Sequence, residues 1–247
     1  MRAILLAAGK GTRISRYYKC PKSTLEVNGV SIIEHSVGIL EDEGISVTAV
    51  LGYGSEAVRG CLAGHNTEFV MNPFYSVTNS LGSLWMARDY IKEGEDLLVC
   101  NADVFWEKPV LDRIVSSADG PVMAADSTRC DIGDYFFRVS DGYIKEYGKE
   151  LPRERRTHEY VGMAEIPGSC TGRFRERLER MTWNEEYGEW WENVLYAHLD
   201  EEPVKIADLP DLFWGEVDYL EDYRRITEYA RTGDVSSKLD RKFNKPE

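Results

Sequence analysis

No apolar run in the 247 residues reaches the ~20 needed to span a bilayer. There is no internal repeat, low-complexity tract or Gly/Ser linker, so no clean domain boundary is visible. The five cysteines (Cys20, Cys61, Cys100, Cys130, Cys170) are scattered, odd in number and without a Cys-x-x-Cys pair. That spacing excludes a zinc ribbon and a disulfide framework, and predicts reduced thiols in a cytoplasmic protein. The four histidines (His35, His65, His158, His198) have no metal-ligand spacing, and no nucleophile elbow suggests a Ser–His–Asp arrangement. Basic residues are outnumbered: 30 Lys and Arg against 43 Asp and Glu give a formal net charge of −13. Such a balance argues against nucleic acid or an anionic membrane as partner. Met1-Arg2 leads directly into an apolar strand, with no signal peptide expected.

What is present is ordinary globular composition, 43% hydrophobic and 30% charged, in a length suited to one large α/β domain. The short apolar run Ala3 to Ala8 ends at Gly9 and reads as a buried strand. Gly9-Lys10-Gly11-Thr12-Arg13 follows, then Cys20-Pro21-Lys22. Gly9 and Gly11 can adopt backbone angles closed to other residues, and successive N–H groups in such a loop form an anion-binding concavity. Lys10, Arg13, Arg16, Lys19 and Lys22 concentrate positive charge there, in an otherwise acidic chain. A dinucleotide fingerprint fails because its third small residue would be Ile14, and a P-loop fails on its spacing.

The remaining pattern, Leu-Ala-Ala-Gly-x-Gly-Thr-Arg followed by Pro-Lys, resembles the signature of the nucleotidyltransferases that make NDP-sugars and CDP-alcohols. The resemblance implies that Gly9, Lys10, Gly11 and Thr12 wrap a triphosphate, that Arg13 and Lys22 neutralise it, and that Leu6, Ala7 and Ala8 support the base. Cys20 departs from the pattern, which usually has Lys or another polar residue before the proline. At this length the left-handed β-helix of larger sugar-1-phosphate relatives is not expected.

Helices are expected over 31–44, from Ser55, and from 78–80 to about Ile91, alternating with strands 46–51, 67–71 and 96–101. This alternation predicts an α/β, doubly wound, mostly parallel Rossmann-like sheet. Over 127–231 it decays into a β-rich insertion, with a hairpin turn at Ser140-Asp141-Gly142 and a polar flap over 149–158. We therefore divide one domain into a nucleotide-binding half (1–126), an acceptor-binding half (127–231) and a tail (232–247). Helices are also predicted over 111–118, 173–181, 190–199 and from about Leu220.

The stretch Thr78-Asn79-Ser80-Leu81-Gly82-Ser83-Leu84 resembles the branch that joins CMP to phosphocholine and related phospho-alcohols. Thr78, Asn79 and Ser83 are candidate contacts to a pyrimidine edge, since Asn offers both donor and acceptor; the plainer reading is a capped helix. Asn101-Ala102-Asp103 ends a strongly apolar strand, where ligands sit in open parallel sheets. The resemblance puts Asn101 near the nucleotide and makes Asp103 a magnesium ligand; otherwise Asp103 is a turn residue. Glu216-Val217-Asp218 resembles the family's C-terminal Glu-Ile-Asp motif, implying Asp218 as the second Mg²⁺ ligand. Acidic residues at a helix start also suit the helix dipole.

Trp190 and Trp191 beside Glu192 can form a cage for a quaternary ammonium, with Tyr135, Tyr160 and Trp214 as further walls and Glu216 close by. Adjacent helical residues diverge by about 100°, which argues for one of the two tryptophans being core. The expected reaction joins CMP from CTP (or another NTP) to a small phosphorylated acceptor, phosphocholine first, with Mg²⁺ as cofactor and Lys22, Arg13 and Asp103 as catalytic residues. A sugar-1-phosphate, polyol phosphate or aminoalkylphosphonate acceptor, and a non-catalytic nucleotide-binding module, are the alternatives.

Overall fold

A computed structural model describes residues 1–11, 13–115, 120–131 and 133–236. In chain order the first half contains β1 (Arg2–Ala7), β2 (Glu26–Val27), β3 (Val30–Ser31), α1 (Ile32–Asp42), β4 (Ser46–Leu51), α2 (Ser55–Cys61), β5 (Thr67–Met71), α3 (Ser80–Met86), β6 (Leu97–Asn101), β7 (Val104–Trp106), α4 (Lys108–Val115) and β8 (Val122–Asp126). The second half contains β9 (Phe136–Ser140), β10 (Tyr143–Gly148), β11 (His158–Ile166), α5 (Gly168–Trp183), α6 (Asn193–Tyr196), β12 (Lys205–Asp208), β13 (Trp214–Glu216) and α7 (Leu220–Thr232).

Nine strands form one sheet in the order β5-β4-β1-β6-β11-β8-β12-β10-β9. β5, β4, β1 and β6 run parallel, and β12 is parallel to β8. β11 lies antiparallel between β6 and β8, and the β9–β10 hairpin is antiparallel at the far edge. Alternation along β1 explains the double winding. Ala3, Leu5 and Ala7 enter one core with Val37 and Leu40 of α1 and Val110 and Ile114 of α4. Ile4 points the other way, into a core with Leu81 and Leu84 of α3 and Phe174 and Leu178 of α5. Each such fully buried large side chain contributes about 1.5–3 kcal/mol relative to exposure. A third cluster, around Ile14, Leu25, Phe105, Val217 and Ile226, pins the loop after β1 against α7.

α1 starts where the sequence predicts, at a Ser31–Glu34 capping box. The hairpin turn is also where expected, with Asp141 and Gly142 both at positive φ. All five cysteines are free thiols. Among the described residues no helix is long and apolar enough to cross a membrane. Two expected helices differ. α4 begins earlier, at Lys108, and residues 116–118 lie outside the described residues. The expected 190–199 helix shrinks to α6, because the segment before it caps α3. Glu189 O accepts from Leu81 N (3.2 Å), Tyr187 O accepts from Asn79 N (3.0 Å), and Trp191 N donates to Ser80 Oγ (2.9 Å). The open N–H groups of the α3 start thus decide the conformation of the later segment. The expected flap over 149–158 is partly tied down, by buried Leu151 and by Arg156 stacked over Phe136 at 3.9 Å.

α5 ends in a Schellman arrangement: Glu186 N donates to Met181 O (2.9 Å) and Glu185 N to Thr182 O (3.0 Å). Glu185 therefore sits at φ +67°, a conformation that glycine adopts without a Cβ clash. Glu185→Gly is expected to stabilise the fold by about 0.5–1 kcal/mol, the left-handed penalty less glycine's entropy cost. Calorimetric unfolding should then rise by about 1–4 °C.

Candidate active site

The loop after β1 turns at Gly11 (φ +60°), and Lys22 lies directly against it. A Cβ at Gly11 would come 2.6 Å from Lys22 Cγ and 2.8 Å from Cε. This position needs glycine twice over, for its backbone angle and for the passage of the lysine stem. Gly9, by contrast, has open space around its missing side chain. Thr12 lies outside the described residues. Lys10 is exposed, with its ammonium 5.8 Å from the Tyr53 ring centroid. Leu6, Ala7, Gly9, Gly11, Lys22, Ala102 and Asp103 line one cleft at the carboxyl ends of β1 and β6. Ala8 stands just behind it, its carbonyl accepting from Tyr53 N at 3.1 Å.

Two distant motifs meet over this cleft because β7 pairs with β13, Val104 opposite Glu216 and Trp106 opposite Trp214. Val217 N donates to Asp103 O at 3.0 Å, fixing Asp218 beside Asp103. Asp222 in the first turn of α7 accepts from Asp218 N (3.1 Å) and Tyr219 N (2.8 Å), which holds the backbone that presents Asp218. Lys22 Nζ donates to Asp103 Oδ2 at 3.1 Å and to Asp218 Oδ1. Arg13 donates to Asp218 Oδ2, and to Asp134 at 3.4 Å.

Burial alone would push the Lys22 ammonium toward neutrality, but Asp103 and Asp218 outweigh it and raise its pKa. Lys22 is thus a fixed positive charge. Asp218 shows the converse: burial opposes ionisation, Lys22 and Arg13 overcome it, and its pKa is lowered. Glu216, half-buried beside Asp103 and Asp218, is pushed well above the usual carboxylate range, first by loss of solvent and then by those charges. The Asp103 and Asp218 carboxylates already converge on one cation, the Lys22 ammonium. They are hard oxygen donors in two turns, one after β6 and one after β13, and no cluster of three or more His, Cys, Asp or Glu metal ligands occurs among the described residues. Such a set fits Mg²⁺, which takes one or two carboxylates and fills the rest of its shell with water and phosphate oxygens.

The other candidate residues divide sharply. Tyr160 and Glu192 meet, the tyrosine hydroxyl donating to Glu192 Oε1 at 2.5 Å. Tyr135 packs edge-on to Tyr160, with ring centroids 6.0 Å apart. Trp191 is core and its indole N–H donates to Asn101 Oδ1 (3.0 Å), so Asn101 links the end of β6 to the segment bearing Glu192. Trp190 is exposed, beneath the Lys149 ammonium at 4.5 Å.

Trp214 is not a cage wall: it is 1% exposed, in the core, with its indole N–H on Asp126 (2.8 Å) and Arg129 over its ring. Glu216 stands beside the Asp103–Asp218 pair rather than in an ammonium cage. Thr78 and Ser83 also turn inward. Asn72, fully buried, donates to both hydroxyl oxygens at 3.0 Å, and Thr78 donates to Phe74 O. With those hydroxyls engaged by Asn72, they brace the loop instead of standing free to read a base. Asn79 is the N-cap of α3, its Oδ1 accepting from Ser80 N at 2.9 Å.

Residues 3–168 match the MobA-like NTP transferase domain. The chain belongs to that family. The chain is 29% identical over 242 residues to a CMP-5'-(3-aminopropyl)phosphonate synthase of Streptomyces rubellomurinus, a match covering 91% of this chain and 38% of the relative. It is 23% identical over 235 residues to the choline-phosphate cytidylyltransferase of Streptococcus pneumoniae, covering 94% of this chain and 99% of that one. Among solved structures, an inositol-1-phosphate CTP transferase from T. maritima superposes with a TM-score of 0.76 at 19% identity, covering 94% of this chain and 96% of that chain. At that identity the superposition shows the fold.

Several residues of the candidate site carry no motif. Asp134 grips Arg13 across the cleft, and nothing local in the sequence marks it. Asn72 reads as a turn residue before Pro73, although its partner Ser83 follows eleven positions on. Lys149, inside the expected flap, ends up over Trp190. The contact between Gly11 and Lys22 yields a direct expectation. Gly11→Ala should move the lysine stem and lower kcat by about tenfold to a hundredfold, the scale of a displacement near 1 Å. Unchanged turnover in steady-state assays would show that Lys22 needs no such passage.

Proposed function

We propose that this transferase moves a nucleotidyl group, CMP from CTP by preference, onto a small phosphorylated alcohol or phosphonate. An oxygen of the acceptor's phosphate or phosphonate attacks the α-phosphorus, the bond to the β-phosphate oxygen breaks, and pyrophosphate leaves. The observation that carries this reading is the Lys22 ammonium shared by Asp103 and Asp218 under Gly11, at the ligand-binding edge of the sheet. Phosphocholine, favoured by the sequence resemblance, is one member of this acceptor class, and both curated relatives above are named for CMP or cytidylyl chemistry.

Lys22 stabilises the charge that develops on the α-phosphate, in a site where a fixed cation needs no reorganisation. Arg13, whose side chain is 43% exposed and held by Asp134 and Asp218, would serve the β- and γ-phosphates together with the loop amides. Asp103 and Asp218 would hold Mg²⁺, which supplies charge neutralisation at the phosphate oxygens. Leu6, Ala7 and Asn101, around the ends of β1 and β6, border the nucleotide. The free thiols suit a reducing, cytoplasmic setting. The test crosses CTP, UTP, GTP, ATP and dTTP with phosphoethanolamine, phosphocholine and glucose-1-phosphate, with pyrophosphate release as readout. Release that needs both CTP and a phosphorylated acceptor supports the reading; acceptor-independent hydrolysis contradicts it.

A further inference from the structure

Glu192 is a buried carboxyl with half of its hydrogen-bonding capacity unused. It is 2% exposed; Oε1 accepts from the Tyr160 hydroxyl, while Oε2 is enclosed with no hydrogen bond of 3.5 Å or less among the described residues, the Asn101 side chain lying near enough only to favour the ionised form. Buried polar oxygens are normally satisfied, so an orphan of this kind calls for a ligand that donates. The rings around it do not supply an alternative. Tyr135 stacks on Tyr196 (centroids 5.9 Å apart, planes 14°), Tyr196 stacks on Tyr147 (4.5 Å, 23°), and Tyr160 stands edge-on to Tyr135. These tyrosines cover one another's faces, and the Trp190 face carries the Lys149 ammonium.

A trimethylammonium is held by open aromatic faces and has no N–H to donate. A primary ammonium is slimmer, carries three donors, and forms a short charge-assisted bond with a carboxylate. We propose that Glu192 seats the ammonium end of the acceptor and selects a primary amine over a trimethylammonium, an inference that rests on the nucleotidyl transfer proposed above. The placement is consistent with one small molecule spanning both ends. Trp191, next to Glu192, is bonded to Asn101, two residues before Asp103, so β6 connects the segment bearing Glu192 to the strand end that carries Asp103.

The test compares pyrophosphate release from CTP with phosphoethanolamine, phosphocholine and glycerol phosphate, for wild type, Glu192→Gln and Tyr160→Phe. Wild type should prefer phosphoethanolamine to phosphocholine by at least about tenfold in kcat/KM, since an unpaired buried acceptor penalises the analogue lacking the donor. Glu192→Gln should reduce the ratio of amine to glycerol phosphate to about one, whereas Tyr160→Phe, which keeps the carboxyl, should preserve the preference. Equal or better use of phosphocholine by wild type, a preference that survives in Glu192→Gln, or one lost in Tyr160→Phe would overturn the assignment. If no acceptor supports release, nucleotidyl transfer itself fails. Calorimetric binding of phosphoethanolamine then decides the seat separately: weaker binding by Glu192→Gln upholds it, and equal binding overturns it.

Discussion

Lys22→Met is expected to lower kcat by about 10²–10³-fold, the loss found when one preorganised donor to a developing oxyanion is removed. Methionine keeps the length of the stem that passes Gly11 while deleting the ammonium that Asp103 and Asp218 share. The stability effect has the opposite logic from a simple cavity. The two carboxylates, 23% and 19% exposed, lose their common counter-charge and repel. Partial exposure keeps that cost below the ~3–5 kcal/mol of breaking a fully buried pair. The wild-type ammonium also competes for the oxygens that would hold Mg²⁺. Mg²⁺ without nucleotide should therefore raise the unfolding temperature of Lys22→Met more than that of wild type. An equal shift in both proteins would separate Lys22 from the metal seat; near-normal turnover would remove it from the chemistry.

Asp218→Asn should be the second large effect, with kcat/KM reduced by about 10²–10³-fold. Asp218 is the point at which Lys22 and Arg13 converge, one on each oxygen. Asparagine keeps one carbonyl acceptor but removes the negative charge that Lys22 and Arg13 hold ionised against burial. Asp103→Asn disturbs Lys22 alone among these contacts, so its stability cost should be smaller. Chemical denaturation of the two variants tests the ranking: Asp103→Asn as the less stable protein would mean that the Arg13 contact contributes nothing. Asp222→Asn offers a control of different character, because Asp222 touches only the backbone of residues 218 and 219 in these contacts.

Much of the fold was legible because local patterns and tertiary needs agreed. The apolar run of β1, the Ser31 cap and the Asp141-Gly142 turn each have a physical signature within a few residues. The glycine loop and the pairing of Asp103 with Asp218 were also readable, from residue type and from a family resemblance spanning both. The failures share a cause. β13 has three residues, too few for alternation to tell inside from outside, so Trp214 looked like a pocket wall beside Asp218. The 190–199 segment has helical composition, but the open N–H groups of α3 draw its first residues out of a helix. Thr78 and Ser83 are of the residue types that read a base, but Asn72 lies between them, and no periodicity announces such a buried amide. Asp134 and Lys149 depend on a cross-cleft approach that only the folded sheet creates.

The most direct measurement follows the phosphorus by ³¹P NMR in a mixture of the protein, CTP, Mg²⁺ and 2-aminoethylphosphonate. Pyrophosphate and a new phosphonate–phosphate anhydride should grow equally, at the expense of CTP and free phosphonate, with neither signal from Lys22→Met on the same timescale. CTP that stays intact, or that breaks down to CMP or CDP without an anhydride resonance, would contradict nucleotidyl transfer.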